Sequence, residues 1–530
     1  MKISTTKLIL VTALFFVCAS NISFFRHVIE VYPVNINNIG FLISLPVGLT
    51  AAIVLLLSLL SSRYTTKPLL ILLLLTTSVA TFFMDKYNII LDVTMVQNIM
   101  ETNYHEASDL FSLSLLFHFL LFGVLPSVIV YKIEIEQVSW KRGGLLKLRD
   151  SSLCLVIFFG TVLLFSKFYA PFFRVHKPLR FYTNPTYYIY SLGKYIATTL
   201  HEENIVVKPL GVNARLSPAD TGRELIILVV GEAARADRFS LNGYSRDTNP
   251  LLAKENVISM TNMHSCGTTT AYSLPCMFSI FTRSSYSDSK GASTENLLDV
   301  LNHAGIHVLW RDNNSSSKGI AKRVTHQDFR SPDVNPVCDV ECRDVGMLSG
   351  LQQYIDTQPQ GDILVVLHQM GNHGPAYYKR YPPAFEKFKP ACKTNQLEEC
   401  SKAEINNAYD NAILYTDYFL DQTIILLKHN SIKFKTAMVY ISDHGESLGD
   451  YGIYLHGLPY ALAPEEQKHV GAIFWFGKSF DIDRKSLRRR SDVQYSHDNL
   501  FHTILGMFKV QTPLYDENLD ITYNGDSEQG

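Results

Sequence analysis

Two cysteines, Cys266 and Cys276, bracket a run of hydroxyl residues just before an apolar, helix-compatible segment at 277–281. A hydroxyl at the start of a helix faces free backbone N–H groups and the positive end of the helix dipole, a setting that suits a phosphate. Hydroxyls are poor nucleophiles unless a base or a metal activates them. The alternative is a disulfide-closed loop whose threonines only cap a helix. The chemistry therefore depends on whether the rest of the chain supplies a metal.

Acidic and imidazole side chains follow apolar runs in the second half of the chain. With one threonine of the hydroxyl run they form a mixed oxygen and nitrogen set, consisting of Glu232, Thr270, Asp443 and His444. This set is typical of a zinc site. Metal bound to the Thr270 oxygen would lower the pKa of the hydroxyl and activate it without a separate base. His373 and His456 remain for a second metal or for the transferred phosphate, whereas for His368 we expect only a structural hydrogen bond.

The elements that must position these residues are short apolar or β-branched runs, at 225–230, 306–310, 363–367, 437–441 and 472–476. Stretches with helical periodicity, such as 408–427, lie between them. Buried strands that alternate with helices predict an α/β domain with a largely parallel sheet. Ligands of such sheets gather beyond the carboxyl ends of the strands, which is where the candidate residues lie.

The first ~170 residues are strongly apolar, as expected of a membrane anchor joined to a globular part. Apolar runs lie near 8–25, 40–60, 68–84, 110–131 and 151–169. Each is close to the ~20 residues that a helix needs to span a bilayer. The first run lacks a clear small-residue cleavage site, so we interpret it as an uncleaved anchor rather than a signal peptide. The sequence therefore predicts five transmembrane helices.

The loops between these runs set the orientation. Lysine and arginine are concentrated before the first run, between the second and third, and between the fourth and fifth, whereas the loop at 85–109 is mainly acidic. This distribution predicts a cytoplasmic N-terminus, and an odd number of spans then places everything after residue 170 outside the inner membrane. We expect a transmembrane domain at 1–170, an interfacial linker helix region at 171–221 and a periplasmic catalytic domain at 222–530.

The cysteines support the same compartment. Cys18 and Cys154 are isolated within apolar runs, and the other six form close neighbours that we predict to be disulfides, namely Cys266 with Cys276, Cys338 with Cys342, and Cys392 with Cys400. Disulfides indicate an oxidising compartment. A metal site at Cys338 and Cys342 is the alternative for that pair. The formal net charge is −1, which argues against a nucleic-acid partner.

The acidic outer loop contains three polar residues, Asn98, Thr102 and Glu106, spaced four apart. On a helix these side chains would share one face. Such a stripe could hold a lipid head group, and the alternative is a solvated amphipathic helix that lies on the membrane.

Several ordered motifs resemble those of the lipid A phosphoethanolamine transferases, the family that includes the mobile colistin-resistance enzymes. They are Gly231-Glu232 with Arg235, the stretch 242–250 (NGYSRDTNP), the stretch 265–276 (SCGTTTAYSLPC), 310–314 (WRDNN), 368–375 (HQMGNHGP) and 442–447 (SDHGES). The likeness covers the whole chain, including the membrane half. It implies an alkaline-phosphatase or sulfatase-like domain on a five-helix anchor.

The resemblance also implies roles. Thr270 would be the nucleophile that takes phosphoethanolamine from phosphatidylethanolamine, and a lipid A phosphate would accept the group. Glu232, Asp443 and His444 would complete one tight Zn²⁺ site, with His373 and His456 left for a second zinc ion or the phosphate. Donor contacts would come from Asn314, Lys318, Asn98, Thr102 and Glu106.

Several alternatives remain at this point. The acceptor of the same transferase could be a core sugar or a protein. Water could replace the acceptor in a membrane-anchored phosphatase or sulfatase, although an anchor is superfluous for a soluble substrate. A non-enzymatic membrane sensor would bind ligand only. We expect a monomer whose substrates and neighbours are membrane lipids.

Overall fold

The computed structural model describes residues 2–102, 107–108, 110–136, 138–174, 176–202, 206–217 and 222–524. It divides into two compact units. One unit consists of Met1–Val96 with Phe111–Ile196, and the other of Gln97–Leu110 with Ala197–Gly530. The later part of the acidic outer loop, Gln97–Leu110, thus groups with the α/β part of the chain, whereas residues 85–96 group with the helices.

The first unit is helical. Its α-helices are Thr5–Ala19, Ile22–Val31, Ile39–Leu60, Thr66–Tyr87, Leu113–His118, Leu125–Lys132, Trp140–Leu164, Ser166–Arg174 and the greater part of Thr186–Glu202. A π-helical segment, Phe119–Val124, joins Leu113–His118 to Leu125–Lys132, and a 3₁₀ turn spans Lys177–Tyr182. Lys2–Ile3 and Glu134–Ile135 pair as short parallel strands.

Membrane-length helices are present as expected of an anchor. Three continuous helices, Ile39–Leu60, Thr66–Tyr87 and Leu113–Lys132, are long and apolar enough to cross a bilayer. Two bent pairs pass the same test if each counts as one span, namely Thr5–Ala19 with Ile22–Val31, bent by 56°, and Trp140–Leu164 with Ser166–Phe173, bent by 82°. The described residues therefore hold three such helices, or five with the bent pairs, and the prediction of five spans stays a prediction.

The first bend has a polar cause. Asn21, between Thr5–Ala19 and Ile22–Val31, is buried. Its Nδ2 donates to the Phe16 carbonyl at 2.9 Å and to the Asn184 carbonyl at 2.8 Å, and its Oδ1 accepts the Asn184 N–H at 2.8 Å. A side chain that binds backbone groups in this way interrupts the helical ladder, which is why the apolar run at 8–25 does not form one straight helix.

The second unit is built on a seven-stranded sheet. In chain order its strands are β1 (Glu224–Gly231), β2 (Ile258–Ser259), β3 (His307–Asp312), β4 (Thr325–Asp328), β5 (Ile363–His368), β6 (Lys435–Ser442) and β7 (Ala472–Phe476). Their order across the sheet is β2-β7-β6-β1-β5-β3-β4. The five strands from β6 to β4 are parallel, and β7 is antiparallel to both neighbours. The predicted α/β domain with a largely parallel sheet is confirmed.

Helices cover this sheet. They are Thr270–Met277, Asp288–Ala292, Leu297–His303, Leu351–Asp356, Lys402–Asn430, Arg484–Arg489 and Leu500–Met507. Ser401 and Glu404 form a capping box at the start of Lys402–Asn430, which packs against β6. Short strand pairs complete the unit, namely Arg215–Leu216 with Val510–Gln511, Met263–His264 with His469–Val470 and Tyr495–Ser496, and Ser447–Asp450 with Ile453–Leu455.

Register brings the carboxyl ends of the central strands together. Ser442 pairs with Gly231, Val230 with His368, and His368 with Asp312. Every residue of β1 is buried, as expected of a strand covered on both faces. The loops that leave β1, β3, β5 and β6 therefore start side by side, and these loops carry the predicted site residues.

Candidate active site

Thr270 is the first residue of the helix Thr270–Met277. Thr269 precedes it in an extended conformation, and the disulfide between Cys266 and Cys276 closes the loop around the helix start. The Thr270 hydroxyl donates to Glu232 Oε2 at 2.9 Å and lies 3.3 Å from His444 Nε2. The side chain is buried, with 8% of its surface exposed. The predicted nucleophile thus contacts two of the three predicted ligands.

Glu232 follows β1 directly and is fully buried. Its Oε2 accepts a second hydrogen bond, from Asn314 Nδ2 at 2.9 Å, and Asn314 Nδ2 also donates to the Gln369 carbonyl at 2.8 Å. Gly371 packs on the other side, where a Cβ would lie 2.9 Å from the Glu232 carbonyl oxygen. The loops after β3 and β5 therefore hold the carboxylate in place.

Asp443 and His444 follow β6 and are also fully buried. Asp443 Oδ1 accepts backbone N–H groups from Ala233 at 3.2 Å and from His444 at 2.7 Å. His444 Nδ1 lies 2.8 Å from the Gly445 carbonyl oxygen, which can only accept, so Nδ1 carries a proton. This bond aims Nε2 at the other ligands, 3.2 Å from Glu232 Oε1 and 3.5 Å from Asp443 Oδ2.

Burial and mutual charge shift the pKa values of the three side chains in this cluster. Burial raises the pKa of Asp443, and the neighbouring Glu232 charge adds to this, so that it reaches about 7. Burial lowers the pKa of His444, but the charges of Asp443 and Glu232 outweigh it and raise the pKa to about 10. Burial raises the pKa of Glu232, yet His444 holds it well below its usual value. Two adjacent buried carboxylates favour a positive charge beside them, which His444 supplies in part and a metal ion would also supply.

The donor set fits zinc. Ligand atoms of Glu232, Asp443 and His444 all lie within 4.8 Å of one another. Glu232 Oε1 and Asp443 Oδ2 are buried and accept no hydrogen bond from the described residues, although Asp443 Oδ1 accepts two. Buried carboxylate oxygens without donors are costly unless a cation binds them. Two carboxylates, one imidazole and one hydroxyl match the oxygen and nitrogen ligands that zinc prefers.

Two further histidines flank this cluster. The His456 ring lies 4.3 Å from the His444 ring and 5.4 Å from the His373 ring, measured between centroids. His456 Nδ1 lies 3.2 Å from Glu446 Oε2. Burial raises the pKa of Glu446 to about 8. The predicted outer pair is therefore adjacent to the candidate metal cluster, and the buried Glu446 carboxyl group orients His456.

Comparisons with known proteins agree with this geometry. Residues 224–510 match the Sulfatase family model, and residues 49–200 match the Phosphoethanolamine transferase EptA/EptB model. The chain is 42% identical over 511 residues to the phosphatidylethanolamine transferase Mcr-2 of Escherichia coli, covering 94% of each chain. The chain belongs to the phosphoethanolamine transferase family.

Other phosphoethanolamine transferases give the same result. The chain is 39% identical over 514 residues to the phosphoethanolamine transferase EptA of Salmonella typhimurium, covering 94% of this chain and 93% of the relative. The solved structure of the integral membrane protein lipooligosaccharide phosphoethanolamine transferase A (EptA) from Neisseria meningitidis superimposes with a TM-score of 0.94 at 33% identity, covering 98% and 99% of the two chains. The predicted family and the sulfatase-like domain on membrane helices are confirmed.

The remaining predicted residues of this phosphoethanolamine transferase fall in different places. Lys318 lies half-buried in the loop after β3 with a φ of +48°, and its N–H donates to Ser316 Oγ at 3.2 Å. The helix that we expected to carry the polar stripe spans Val93–Glu101, so Asn98 lies on it and Thr102 lies just beyond its end. Thr102 Oγ1 donates to the Asn98 carbonyl at 2.6 Å. Glu106 lies outside the described residues.

All three predicted disulfides form in the structure, namely Cys266 with Cys276, Cys338 with Cys342, and Cys392 with Cys400. His368, for which we expected a hydrogen bond, is fully buried with Nδ1 3.4 Å from Asp312 Oδ1. Burial lowers the pKa of His368, but the Asp312 charge outweighs it and raises the pKa. His368 therefore pairs with the Asp312 charge, and its structural role stays a prediction.

Sequence reasoning missed several supporting residues. Asn314 was predicted to contact the donor, which stays a prediction, but its hydrogen bond to the Glu232 carboxylate was not foreseen. Asp344 accepts the backbone N–H groups of Met370 at 2.9 Å and Gly371 at 3.1 Å, and so fixes the loop that leads to His373. No local pattern marks Asp344, because its partners are more than 20 residues away. Glu446 had a signal, since it lies two residues after His444 at the same strand end.

Proposed function

We propose that this protein transfers phosphoethanolamine from phosphatidylethanolamine to a phosphate of lipid A through a covalent intermediate on Thr270. One observation carries the proposal: a buried threonine hydroxyl at a helix start contacts Glu232 and His444, which together with Asp443 offer ligand atoms that all lie within 4.8 Å of one another. Mcr-2 is a phosphatidylethanolamine transferase by name, which supports the donor, and the Neisseria EptA is a lipooligosaccharide phosphoethanolamine transferase by name, which supports a lipooligosaccharide acceptor.

The reaction has two displacement steps. Thr270 Oγ forms a bond to the phosphorus of phosphatidylethanolamine, and the bond between phosphorus and the diacylglycerol oxygen breaks. The proton that the threonine loses balances the one that the diacylglycerol oxygen gains. A lipid A phosphate hydroxyl oxygen then forms a bond to the same phosphorus and loses its proton, the bond to Thr270 Oγ breaks, and the threonine oxygen takes up a proton.

Glu232, Thr270, Asp443 and His444 would hold one zinc ion. When bound, zinc lowers the pKa of the threonine hydroxyl and offsets negative charge on the phosphoryl oxygens. Asn314 fixes the orientation of Glu232, and the Gly445 carbonyl holds the tautomer of His444. Thr270 begins a helix, and the start of a helix favours an anionic group such as a phosphate.

We assign His373 and His456 to a second zinc ion or to the transferred phosphate. Their rings lie beside His444 and are only partly buried, so a bound lipid head group could reach them. Asn314, Lys318, Asn98, Thr102 and Glu106 are proposed to contact the donor. Grouping of Gln97–Leu110 with the α/β unit supports a role for the outer loop in catalysis.

The location follows from the substrates. Both lipids are membrane components, and disulfides indicate an oxidising compartment, so we place the α/β unit in the periplasm and the helices in the bacterial inner membrane, with the chain acting as a monomer. An ethanolamine cap on a lipid A phosphate adds a positive charge and lowers the surface negative charge. Cationic peptides such as polymyxin and colistin would then bind less tightly.

The test compares Thr270→Ala and Thr270→Ser with the native chain in a polymyxin-sensitive Gram-negative host. We expect Thr270→Ala to abolish the lipid A mass gain and the resistance, and Thr270→Ser to retain part of both, because serine keeps the hydroxyl. Retained modification in Thr270→Ala would remove the nucleophile from the proposal. A mass gain on a core sugar would change the acceptor, and rapid hydrolysis of soluble phosphate or sulfate esters would favour a phosphatase or sulfatase.

Chelation tests the metal independently. Purified full-length protein treated with EDTA should lose transfer activity and regain it with added zinc. Activity that survives complete removal of zinc would contradict the assigned role of the cluster.

A further inference from the structure

Thr270 must be held against Asp443 and His444 for the proposed function, on which the inference below rests. Thr270 belongs to the loop and helix at 266–277, whereas Asp443 and His444 belong to the end of β6. These two segments are more than 160 residues apart in sequence. A displacement of about 1 Å between reacting groups can cost about 100-fold in rate, so something must fix one segment against the other.

His497 joins the two segments. Its ring is buried, with 1% of the residue exposed, in a 3₁₀ turn before helix Leu500–Met507. Nδ1 accepts the Cys266 N–H at 3.1 Å, so Nδ1 carries no proton and the neutral ring is protonated at Nε2. Nε2 lies 3.0 Å from the Ser442 carbonyl and donates to it. One imidazole thus links the residue that opens the Thr270 loop to the last residue of β6.

Ser273 makes a second, parallel link. Its side chain is fully buried one turn into the helix that Thr270 begins. Its Oγ accepts the Gly267 N–H at 3.2 Å and donates to the Asp443 carbonyl. Its Oγ also lies 3.3 Å from His497 Nδ1, so the two side chains touch. Residues 266 and 267 are therefore connected to residues 442 and 443 by two adjacent side chains.

Neither side chain contacts Glu232 or the Thr270 hydroxyl by any of these bonds, and neither supplies a ligand atom to the cluster. Their hydrogen-bond partners are backbone groups, and these groups fix the positions of Thr270, Asp443 and His444. We propose that His497 and Ser273 are positioning residues, which hold the Thr270 segment in register with the metal-binding end of β6.

Substitution should therefore slow the chemical step more than it weakens donor binding. We expect Ser273→Ala and His497→Leu to lower the rate of adduct formation on Thr270 by about 10- to 100-fold per zinc-loaded molecule, with the KM for phosphatidylethanolamine changed far less. His497→Gln should recover part of the rate, because a glutamine amide also offers one acceptor and one donor.

A matched control lies five residues along the chain. His502 is also buried and also accepts a backbone N–H through Nδ1, from Asp516 at 3.0 Å, but its partner belongs to the C-terminal segment and not to the site. His502→Leu should lower the melting temperature by an amount similar to His497→Leu while leaving the rate of adduct formation unchanged.

The experiment uses full-length protein in detergent, saturated with zinc, with phosphatidylethanolamine as the donor under single-turnover conditions. Intact-mass spectrometry follows the adduct, and thermal unfolding is measured in parallel. Slow adduct formation in Ser273→Ala and His497→Leu, partial recovery in His497→Gln and a normal rate in His502→Leu support the inference. If His497→Leu does not fold, Ser273→Ala and His497→Gln decide.

Two results would overturn the inference. One is a native rate in Ser273→Ala and His497→Gln, and also in His497→Leu if this variant folds. The other is an equal loss of rate in the His497 and His502 variants, which would indicate a general effect of stability. Failure of the proposed function looks different, because the native protein itself would then form no adduct on Thr270.

Discussion

Gly371 lies against the backbone of Glu232, and an alanine there would test how tightly the metal site is packed. The residue has a φ of +50°, and its own Cβ would lie 2.9 Å from the Glu232 carbonyl oxygen, 3.0 Å from the Glu232 nitrogen and 3.1 Å from the Glu232 Cβ. These atoms belong to a strand end and cannot move aside without moving the carboxylate. Gly371→Ala should therefore weaken both the fold and the metal site.

The size of the effect follows from two terms. A side chain in the left-handed region costs about 1–2 kcal/mol, and overpacking a buried contact costs about 1–3 kcal/mol more. Gly350 separates these terms, because its φ is +67° and a Cβ there would have no atom within 4 Å. Gly350→Ala should show only the first cost, which corresponds to roughly 2–8 °C in melting temperature, and Gly371→Ala about twice as much.

The assay measures the melting temperature of full-length protein in detergent, first with EDTA and then over a series of zinc concentrations. The difference between the two conditions reports metal-linked stabilisation, and a tenfold weaker site loses about 1.4 kcal/mol of it. We expect this difference to shrink in Gly371→Ala and to stay native in Gly350→Ala. Equal zinc responses in the two variants, or a Gly371→Ala protein as stable as Gly350→Ala, would refute the packing argument.

Three further outcomes are expected. Asn314→Ala removes the amide that donates to Glu232 Oε2, and should cost about 1–3 kcal/mol of zinc-linked stabilisation in the same melting assay. Burial raises the pKa of Asp417 to about 7, above its unfolded value of 3.8. The folded state therefore binds this proton more tightly than the unfolded state, and the free energy of unfolding falls as pH rises from about 4 to about 7. Asp417→Asn should lose this pH dependence in melting curves measured between pH 5 and pH 8. Arg380→Lys loses the hydrogen bond that Nε–H donates to the His373 carbonyl at 2.7 Å, and should slow transfer to lipid A by up to about tenfold. A native rate of transfer in this variant would exclude a role for this contact.

Much of the fold and of the inner site could be predicted from the sequence because the signals were local. The runs that became β1, β5 and β6 are apolar on both faces and end at polar residues, which is typical of buried parallel strands. The residues that follow such strands lie at the carboxyl edge of the sheet, so Glu232, Asp443 and His444 could be placed together without any knowledge of side-chain contacts. The disulfides could likewise be predicted from the short spacing between the paired cysteines alone.

The features that could not be predicted depend on partners far away in the chain. Asp344, Ser273 and His497 have ordinary sequence surroundings, and their roles appear only when loops from different strands meet. The positions of helix ends and bends could not be predicted for a related reason. Asn21 interrupts an apolar run because Asn184, 163 residues later, supplies its partner. The outer-loop helix ends at Glu101, one residue before Thr102, and Glu106 lies outside the described residues.

The site is in this sense a consequence of sheet register. Pairing of Ser442 with Gly231 puts Asp443 beside Ala233, whose N–H it accepts, and pairing of Val230 with His368 puts the Gly371 loop beside Glu232. A slip of one residue would move a ligand by about 3.3 Å and turn its side chain to the opposite face of the sheet. The proposed zinc site requires its ligands to stay within a few tenths of an ångström, so metal binding there would also depend on the packing of β1, β5 and β6, far from the reacting atoms.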